Sequence, residues 1–274
     1  MHRIPIYQVD AFTGAVFGGN PAAVCPLDDW LPDETLQAIA AENNLSETAF
    51  LIPDRDPVPL RWFTPRLEVK LCGHATLASA FVLFEFLEPS RERVSFETMS
   101  GRLGVTRQVD RLSMDFPAIG SERLDPGDVP AALIEGLGAE PDEVRFTDDD
   151  WNYVAVFADA DTVARLRPDF GLIELLHPHG VAATGPGGAG TGDPSEIDFV
   201  SRYFVPGYGI REDPVTGSIH CALAPYWAER LGKTRLRAHQ VSERGGRLDI
   251  ELAGDRVHLA GTAVTYMTGE IVVP

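Results

Sequence analysis

Two stretches of the chain are apolar nearly all the way round. One runs CGHATLASAFVLFEFL from Cys72 to Leu87, and the other runs TGSIHCALAPYWAERLG from Thr216 to Gly232. A helix without a polar face is buried inside its domain, so each stretch predicts a central helix rather than a surface one. The first has its densest apolar run at Ala75–Phe84, closed by Glu85 and too short to span a bilayer. The second ends at Leu231, where Gly232 suits the left-handed turn out of a helix. Pro225 inside it removes one backbone donor and predicts a kink. Short alternating runs surround both. Ile4–Val9, Val94–Phe96, Leu103–Gln108 and Leu112–Phe116 read as strands, as do Arg247–Leu252, Val257–Leu259, Ala263–Met267 and Glu270–Val273. Gly245-Gly246, Gly254-Asp255 and Gly269 punctuate the later set. A mixed polar face at Pro32–Asn43, with Asp33 near its start, predicts a surface helix.

The pattern also repeats. Residues 61–65 read RWFTP and residues 202–206 read RYFVP, an offset of 202 − 61 = 141. Each is followed by a polar connection and a glycine that opens one of the apolar helices, with a Pro-to-Gly spacing of 8 in the first copy and 11 in the second. Strand, breaker, glycine and helix recurring in one order point to a duplication. The expected fold is α+β: two pseudo-symmetric barrel-like domains, each with strands wrapped around a central buried helix. The domains are expected at 1–118 and 119–274, with the last ~10 residues packing back on the first. The proline- and charge-bearing segment Phe116–Asp128 is the crossing point.

Composition narrows the function. A net charge of −18 disfavours a nucleic-acid or anionic-membrane surface, and it obliges any anion site to rely on local donors. Three widely spaced cysteines, Cys25, Cys72 and Cys221, form neither a disulfide framework nor a C-x-x-C metal pattern, which points to a reducing, cytoplasmic setting. The N-terminus alternates like a strand and lacks the form of a signal peptide. The stretch TGPGGAGTGDP at 184–194 lacks the Gly-Lys-Ser/Thr ending of a phosphate loop and reads as a mobile turn.

Both apolar helices start on a glycine, at Gly73-His74 and at Gly217-Ser218. A helix start exposes free backbone N–H groups and the positive end of the dipole, which suits a carboxylate. If the two halves are related by approximate twofold symmetry, both starts converge on one crevice. Ordinary capping by Thr216, Ser218 or His74 is the competing reading.

At this point a resemblance is plain. QVDAFTGAVFGGNPAAV (8–24), NNLSETAF (43–50), FTP with CGHATLASA (63–80) and DPVTGSIHCALAPYW (213–227) are similar, in order, to the phenazine-biosynthesis isomerase-like (PhzF-like) family, which shares the diaminopimelate epimerase fold. The resemblance implies a general acid/base at Glu47, with His74, Asp213 and Ser218 lining the same pocket. It places the Gly19-Asn20-Pro21 turn beside the substrate and makes Asn20, Ser46, Gly73, Gly217 and Ser218 substrate-binding. It further implies a homodimer, a small anionic carboxylic acid as substrate, no cofactor and no metal. The type reaction is that of trans-2,3-dihydro-3-hydroxyanthranilate isomerase, in which a glutamate moves a proton between carbons. In the related two-cysteine racemases one thiol stands where Cys72 is; the second aligned position is Val215, which carries no acid or base. A one-base racemase or epimerase, and a small-molecule binder without turnover, stay open beside the isomerase. So do blander roles: a solvated loop carboxylate for Glu47, a turn initiator for Asp213, and core packing for Cys25, His220 and Cys221.

Overall fold

A computed structural model describes residues 2–149, 151–188 and 197–273. The glycine-rich stretch 184–194 therefore lies, from residue 189 on, outside the described residues. The chain forms two compact units, Met1–Phe116 with Leu259–Pro274, and Pro117–His258.

Unit 1 contains β1 (His2–Ala11), β2 (Asn20–Pro26), α1 (Asp33–Asn43), β3 (Glu47–Leu51), β4 (Val58–Phe63), β5 (Glu68–Val69), α2 (Gly73–Val82), β6 (Arg93–Thr98), β7 (Gly101–Arg107) and β8 (Leu112–Pro117). Unit 2 contains β9 (Ser121–Arg123), α3 (Ala131–Leu137), β10 (Glu143–Thr147), β11 (Asn152–Val156), α4 (Ala160–Arg165), α5 (Phe170–Glu174), β12 (Gly180–Pro186), β13 (Phe199–Val205), β14 (Ile210–Asp213), α6 (Gly217–Leu231), β15 (Arg235–Gln240) and β16 (Gly246–Ala253). β17 (Arg256–Gly261) carries the chain across the boundary, and β18 (Ala263–Val273) runs antiparallel to β1.

The duplication is legible in the strand pairings. In unit 1, β1/β2 is antiparallel, β2/β3 parallel, β3/β4 antiparallel, β4/β6 parallel and β6/β7 antiparallel. In unit 2 the same alternation runs through β10/β11, β11/β12, β12/β13, β13/β15 and β15/β16. A short antiparallel strand precedes the central helix in each: β5 beside β4, and β14 beside β13.

Side chains repeat with it. Arg61 sends Nε and Nη2 to the two oxygens of Glu68 at 2.7 and 2.8 Å, and its guanidinium lies 5.1 Å from the Phe63 ring centre. Arg202 grips Glu212 at 2.7 Å through each of the same atoms, 5.0 Å from the Phe204 ring centre. Two parallel N–H···O bonds make each pair a planar fork, which fixes direction as well as distance. The glutamate lies 7 residues after the arginine in one copy and 10 in the other. That difference of three is the difference in Pro-to-Gly spacing, so each fork closes the loop that delivers its helix start.

The central helices are buried as the pattern predicts. In α2 every residue is buried except Phe81, and the helix packs on β1, β2, β3 and β18. It does not stay α-helical to Leu87: Leu83–Leu87 form a π turn in which the Glu88 N–H reaches the Leu83 carbonyl at 2.7 Å. In α6, Pro225 has no N–H to give the carbonyl four residues back, on Cys221. That carbonyl accepts instead from the Ile119 N–H at 3.0 Å, so the helix continues through the proline with its freed acceptor satisfied. Gly269 does not divide the last strand as its sequence signal predicts. It stands opposite Ile6 in the β1/β18 ladder, whose register shift lies further along, between Gln8 and Val9, and pairing along β1 overrides the turn tendency.

Candidate functional site

The site in unit 1 is built from three chain segments. The first is the connection from β1 to β2. Phe12 and Phe17 both have positive φ, at 62° and 72°, a conformation in which bulky side chains are outliers. The Asp10 carboxylate, 2% exposed, accepts from the Phe17 N–H at 2.9 Å and holds the loop. Gly19 follows at φ 62°, where a Cβ would stand 2.1 Å from the Ala11 carbonyl oxygen. Only glycine fits there, and it delivers Asn20, fully buried, to the head of β2.

The second segment is the entry to β3. Asn44 ends α1 in the left-handed region, its N–H on the Ala40 carbonyl at 3.1 Å. Ser46, half-buried, and Glu47 follow, with Glu47 opposite Ala22 in the parallel β2/β3 register. The third is the start of α2. Cys72 takes an extended backbone and its side chain makes no aligned cap, while Thr76 turns its hydroxyl back to the Cys72 carbonyl at 2.6 Å. Among the first-turn amides the Ala75 N–H faces the Cys72 sulfur, while no side chain caps the helix start at Gly73.

His74 is where these segments meet. Its Nε2 lies 3.0 Å from Glu47 Oε2, and Asn20 Nδ2 lies 3.0 Å from its Nδ1. Cys72 Sγ lies 3.5 Å from Nδ1 and 3.9 Å from Nε2. An amide N–H donating to Nδ1 selects the tautomer with hydrogen on Nε2, facing the carboxylate. The imidazolium would instead need the Asn20 carbonyl oxygen, which a half-turn of the amide supplies. The Glu47 contact is close without being a well-aligned hydrogen bond: Oε2 is buried and has no correctly oriented donor despite the 3.0 Å separation. Glu47 is therefore held by charge more than by direction.

Burial opposes a charge on His74, yet its pKa is held well above 6.5 by the Cys72 sulfur and the Glu47 carboxylate. Cys72 itself is pushed up to about 11, first by burial and then by Glu47, with His74 opposing. Near neutral pH it is a thiol, so Glu47 is the charge that keeps the proton on His74. Among the described residues, one group of three mixed donors is close enough to share an ion: Glu47, Cys72 and His74 offer ligand atoms all within 4.8 Å of one another.

Unit 2 carries the matching helix start. Thr216 has an extended backbone and does not cap α6. Its hydroxyl donates to Asp213 Oδ2, and its N–H donates to Gln240 Oε1 at 2.8 Å. Gln240, fully buried, also donates from Nε2 to the Asp213 carbonyl at 2.6 Å. His220 Nδ1 lies 2.7 Å from the Thr216 carbonyl, the position that Thr76 serves in unit 1. Gly217 is buried and Ser218 half-buried in the first turn. Asp213 is thus a clamped residue of the helix start rather than a bare turn initiator. Asp10 and Gln240 carry much of this geometry without having stood out as candidates. Asp10 lies in the loop segment already singled out, whereas nothing near Gln240 in sequence marks it. Cys25 and Cys221 are buried, each thiol pushed up to about 12 by desolvation, as core positions.

Comparison with known proteins shows what the chain as a whole is similar to. The family described as phenazine biosynthesis-like protein (PhzC-PhzF) matches residues 9–269. An uncharacterized isomerase of Pseudomonas aeruginosa is 52% identical over 269 residues, covering 98% of this chain and 99% of the relative. The crystal structure of a PhzF-family phenazine biosynthesis protein from Enterococcus faecalis superposes with a TM-score of 0.91 at 43% identity, covering 99% of this chain and all of that one (100%). A hydroxyproline epimerase from Agrobacterium vitis shares the fold at a TM-score of 0.59 and 12% identity, covering 98% of this chain and 92% of its own.

Proposed function

Since the chain belongs to the phenazine biosynthesis-like (PhzC-PhzF) family, we propose that it is a cofactor-independent isomerase moving a proton between carbons of a small amino- or hydroxy-carboxylic acid. The observation that carries this reading is the Glu47–His74 contact of 3.0 Å beside an uncapped helix start. Glu47 takes the proton from carbon as a carboxylate, becomes a carboxylic acid whose proton exchanges with solvent, and delivers a proton to a second carbon on the same face. One positioned acid/base contributes of order 10²–10⁴ in rate, and the rest comes from holding the substrate still. The uncapped start of α2 at Gly73 suits the substrate carboxylate; the uncapped start of α6 at Gly217, with Asp213 beside it, is the matching feature of unit 2. Asn20 and Ser46 supply the remaining hydrogen bonds. His74 steadies the Glu47 charge before the first transfer and after the second.

A two-thiol racemase route finds no support: Cys72 is a buried thiol with its pKa at about 11, and Val215 has no acid/base group. No helix among the described residues is long and apolar enough to cross a membrane. The three cysteines are free and buried, which fits the cytoplasmic setting that belongs to the same proposal. A homodimer belongs to it too, and light scattering of the purified protein checks it.

The test is a panel of small amino- and hydroxy-carboxylic acids incubated with enzyme in D2O and followed by proton NMR and polarimetry. Isomerisation gives a shifted double bond or a new C–H position without racemising the starting acid. Optical inversion alone would favour the one-base racemase. A ligand that raises Tm with no exchange at any carbon would reduce the protein to a binder.

A further inference from the structure

We propose that Cys72 is a positioning residue whose sulfur lies against the face of the His74 imidazole and fixes the plane in which Nε2 meets Glu47.

The two sulfur distances place the thiol. Cys72 Sγ stands 3.5 Å from Nδ1 and 3.9 Å from Nε2, nearly the same from both nitrogens. A sulfur in the ring plane, in line with the Nδ1 lone pair, would see Nε2 from across the whole ring and well beyond 3.9 Å. Near-equal separations therefore put Sγ over the ring face rather than at its edge, where a polarizable sulfur packs favourably against an aromatic ring. The helix start fixes the sulfur in turn. Cys72 enters α2 with φ −146° and ψ 108°, and the Ala75 N–H faces its Sγ.

The other two contacts leave the plane of the ring undetermined. Asn20 Nδ2 holds Nδ1 at 3.0 Å. At the other nitrogen, Glu47 Oε2 lies 3.0 Å from Nε2 without hydrogen-bond alignment. One directional contact and one undirected contact let the ring tilt about the line that joins them, and a wall against its face stops the tilt. That gives a buried thiol a task in a site where the two-thiol route finds no support. Its effect on turnover rests on the reading of Glu47 and His74 as the acid/base pair, whereas the ring itself is observed without substrate.

The test is long-range proton–nitrogen NMR of full-length protein carrying isotope-labelled histidine, with the His74 ring assigned as the set missing from His74→Asn. The wild type should show one narrow set of His74 ring signals. Cys72→Ala, which uncovers the ring face, should give a second set or lines more than about twofold broader, as a ring moving between orientations does. Cys72→Ser separates positioning from helix capping. Serine is a good N-cap, so Tm should be kept, yet its smaller oxygen is drawn to the Ala75 amide and should leave the ring as loose as alanine does. Cys25→Ala and Cys221→Ala remove thiols that are also buried, and should leave the His74 signals unmoved even where Tm falls. Wild-type His74 signals in a folded Cys72→Ala or Cys72→Ser protein overturn the proposal. Split or broadened His74 signals in the wild type overturn it even if no variant folds.

Discussion

The paired arginine forks allow a quantitative comparison within one molecule, through Glu212→Gln and Glu68→Gln. Each change keeps the side-chain shape and turns a carboxylate into an amide whose NH2 faces a guanidinium. The Arg202 side chain is 9% exposed and Glu212 19%, against 21% and 24% for Arg61 and Glu68. Losing one partner of a buried pair costs about 3–5 kcal/mol, because the other charge is left uncompensated. Arg202 keeps the Leu166 carbonyl at 2.8 Å and the Phe204 ring, which places Glu212→Gln near the low end, at about 3 kcal/mol. Arg61 keeps the exposed Asp33 carboxylate at 2.9 Å and has better access to water, so Glu68→Gln should cost about 1 kcal/mol. At roughly 3 °C per kcal/mol for domains of this size, the shifts in Tm are about 9 °C and about 3 °C. Calorimetry is the suitable assay, since two units need not melt as one transition. Raising salt to 1 M should shrink the Glu68→Gln effect more than the Glu212→Gln effect, because buried pairs are screened less. Equal shifts, or a silent Glu212→Gln, would refute the claim that these forks hold the loops before the helix starts.

Other outcomes follow from the same structure. Gly19→Ala should cost about 3 kcal/mol or more by driving a Cβ into the Ala11 carbonyl, while Gly101→Ala, equally left-handed at φ 89° but in open space, should cost about 1 kcal/mol; urea denaturation separates them. His220, fully buried, has its pKa lowered to about 4 from 6.5 by desolvation, so the unfolded chain takes up that proton first. Its stability effect is absent above about 6.5 and grows to a loss of about 3 kcal/mol as pH falls through 4, and His220→Asn should flatten that acid limb in unfolding against pH. His74 has the opposite sign: raised, it stabilises below its unfolded value, and the gain is lost as pH rises through its folded one. The native protein should react with a thiol reagent at none of Cys25, Cys72 and Cys221 near pH 7, and at all three once unfolded; rapid native labelling of Cys72 would contradict its burial.

Several of these features were legible in the chain because they are local and repeated. Apolar residues at nearly every position announced α2 and α6 as buried helices, and RWFTP with RYFVP announced the duplication that the strand pairings repeat. Boundaries were less legible. The π turn at Leu83–Leu87, closed by the Glu88-to-Leu83 hydrogen bond, leaves no mark in the apolar pattern, and Gly269 reads as a break until Ile6 stands opposite it. In the site, Glu47 and His74 were found as residues, but not their 3.0 Å contact. That contact needs the β2/β3 register and the strained loop before Asn20, which depend on partners far apart in sequence. Gln240 escaped for the same reason: it reaches Asp213 and Thr216 from a strand 24 residues beyond the helix start it clamps.

The most direct measurement is solvent-deuterium exchange into substrate by Glu47→Gln, run beside ligand-induced stabilisation of the same variant. The account expects exchange to fall by at least about 10³, the scale of a lost general acid/base, while the acid still raises Tm. Exchange at the wild-type rate in a folded, ligand-binding Glu47→Gln protein would contradict it.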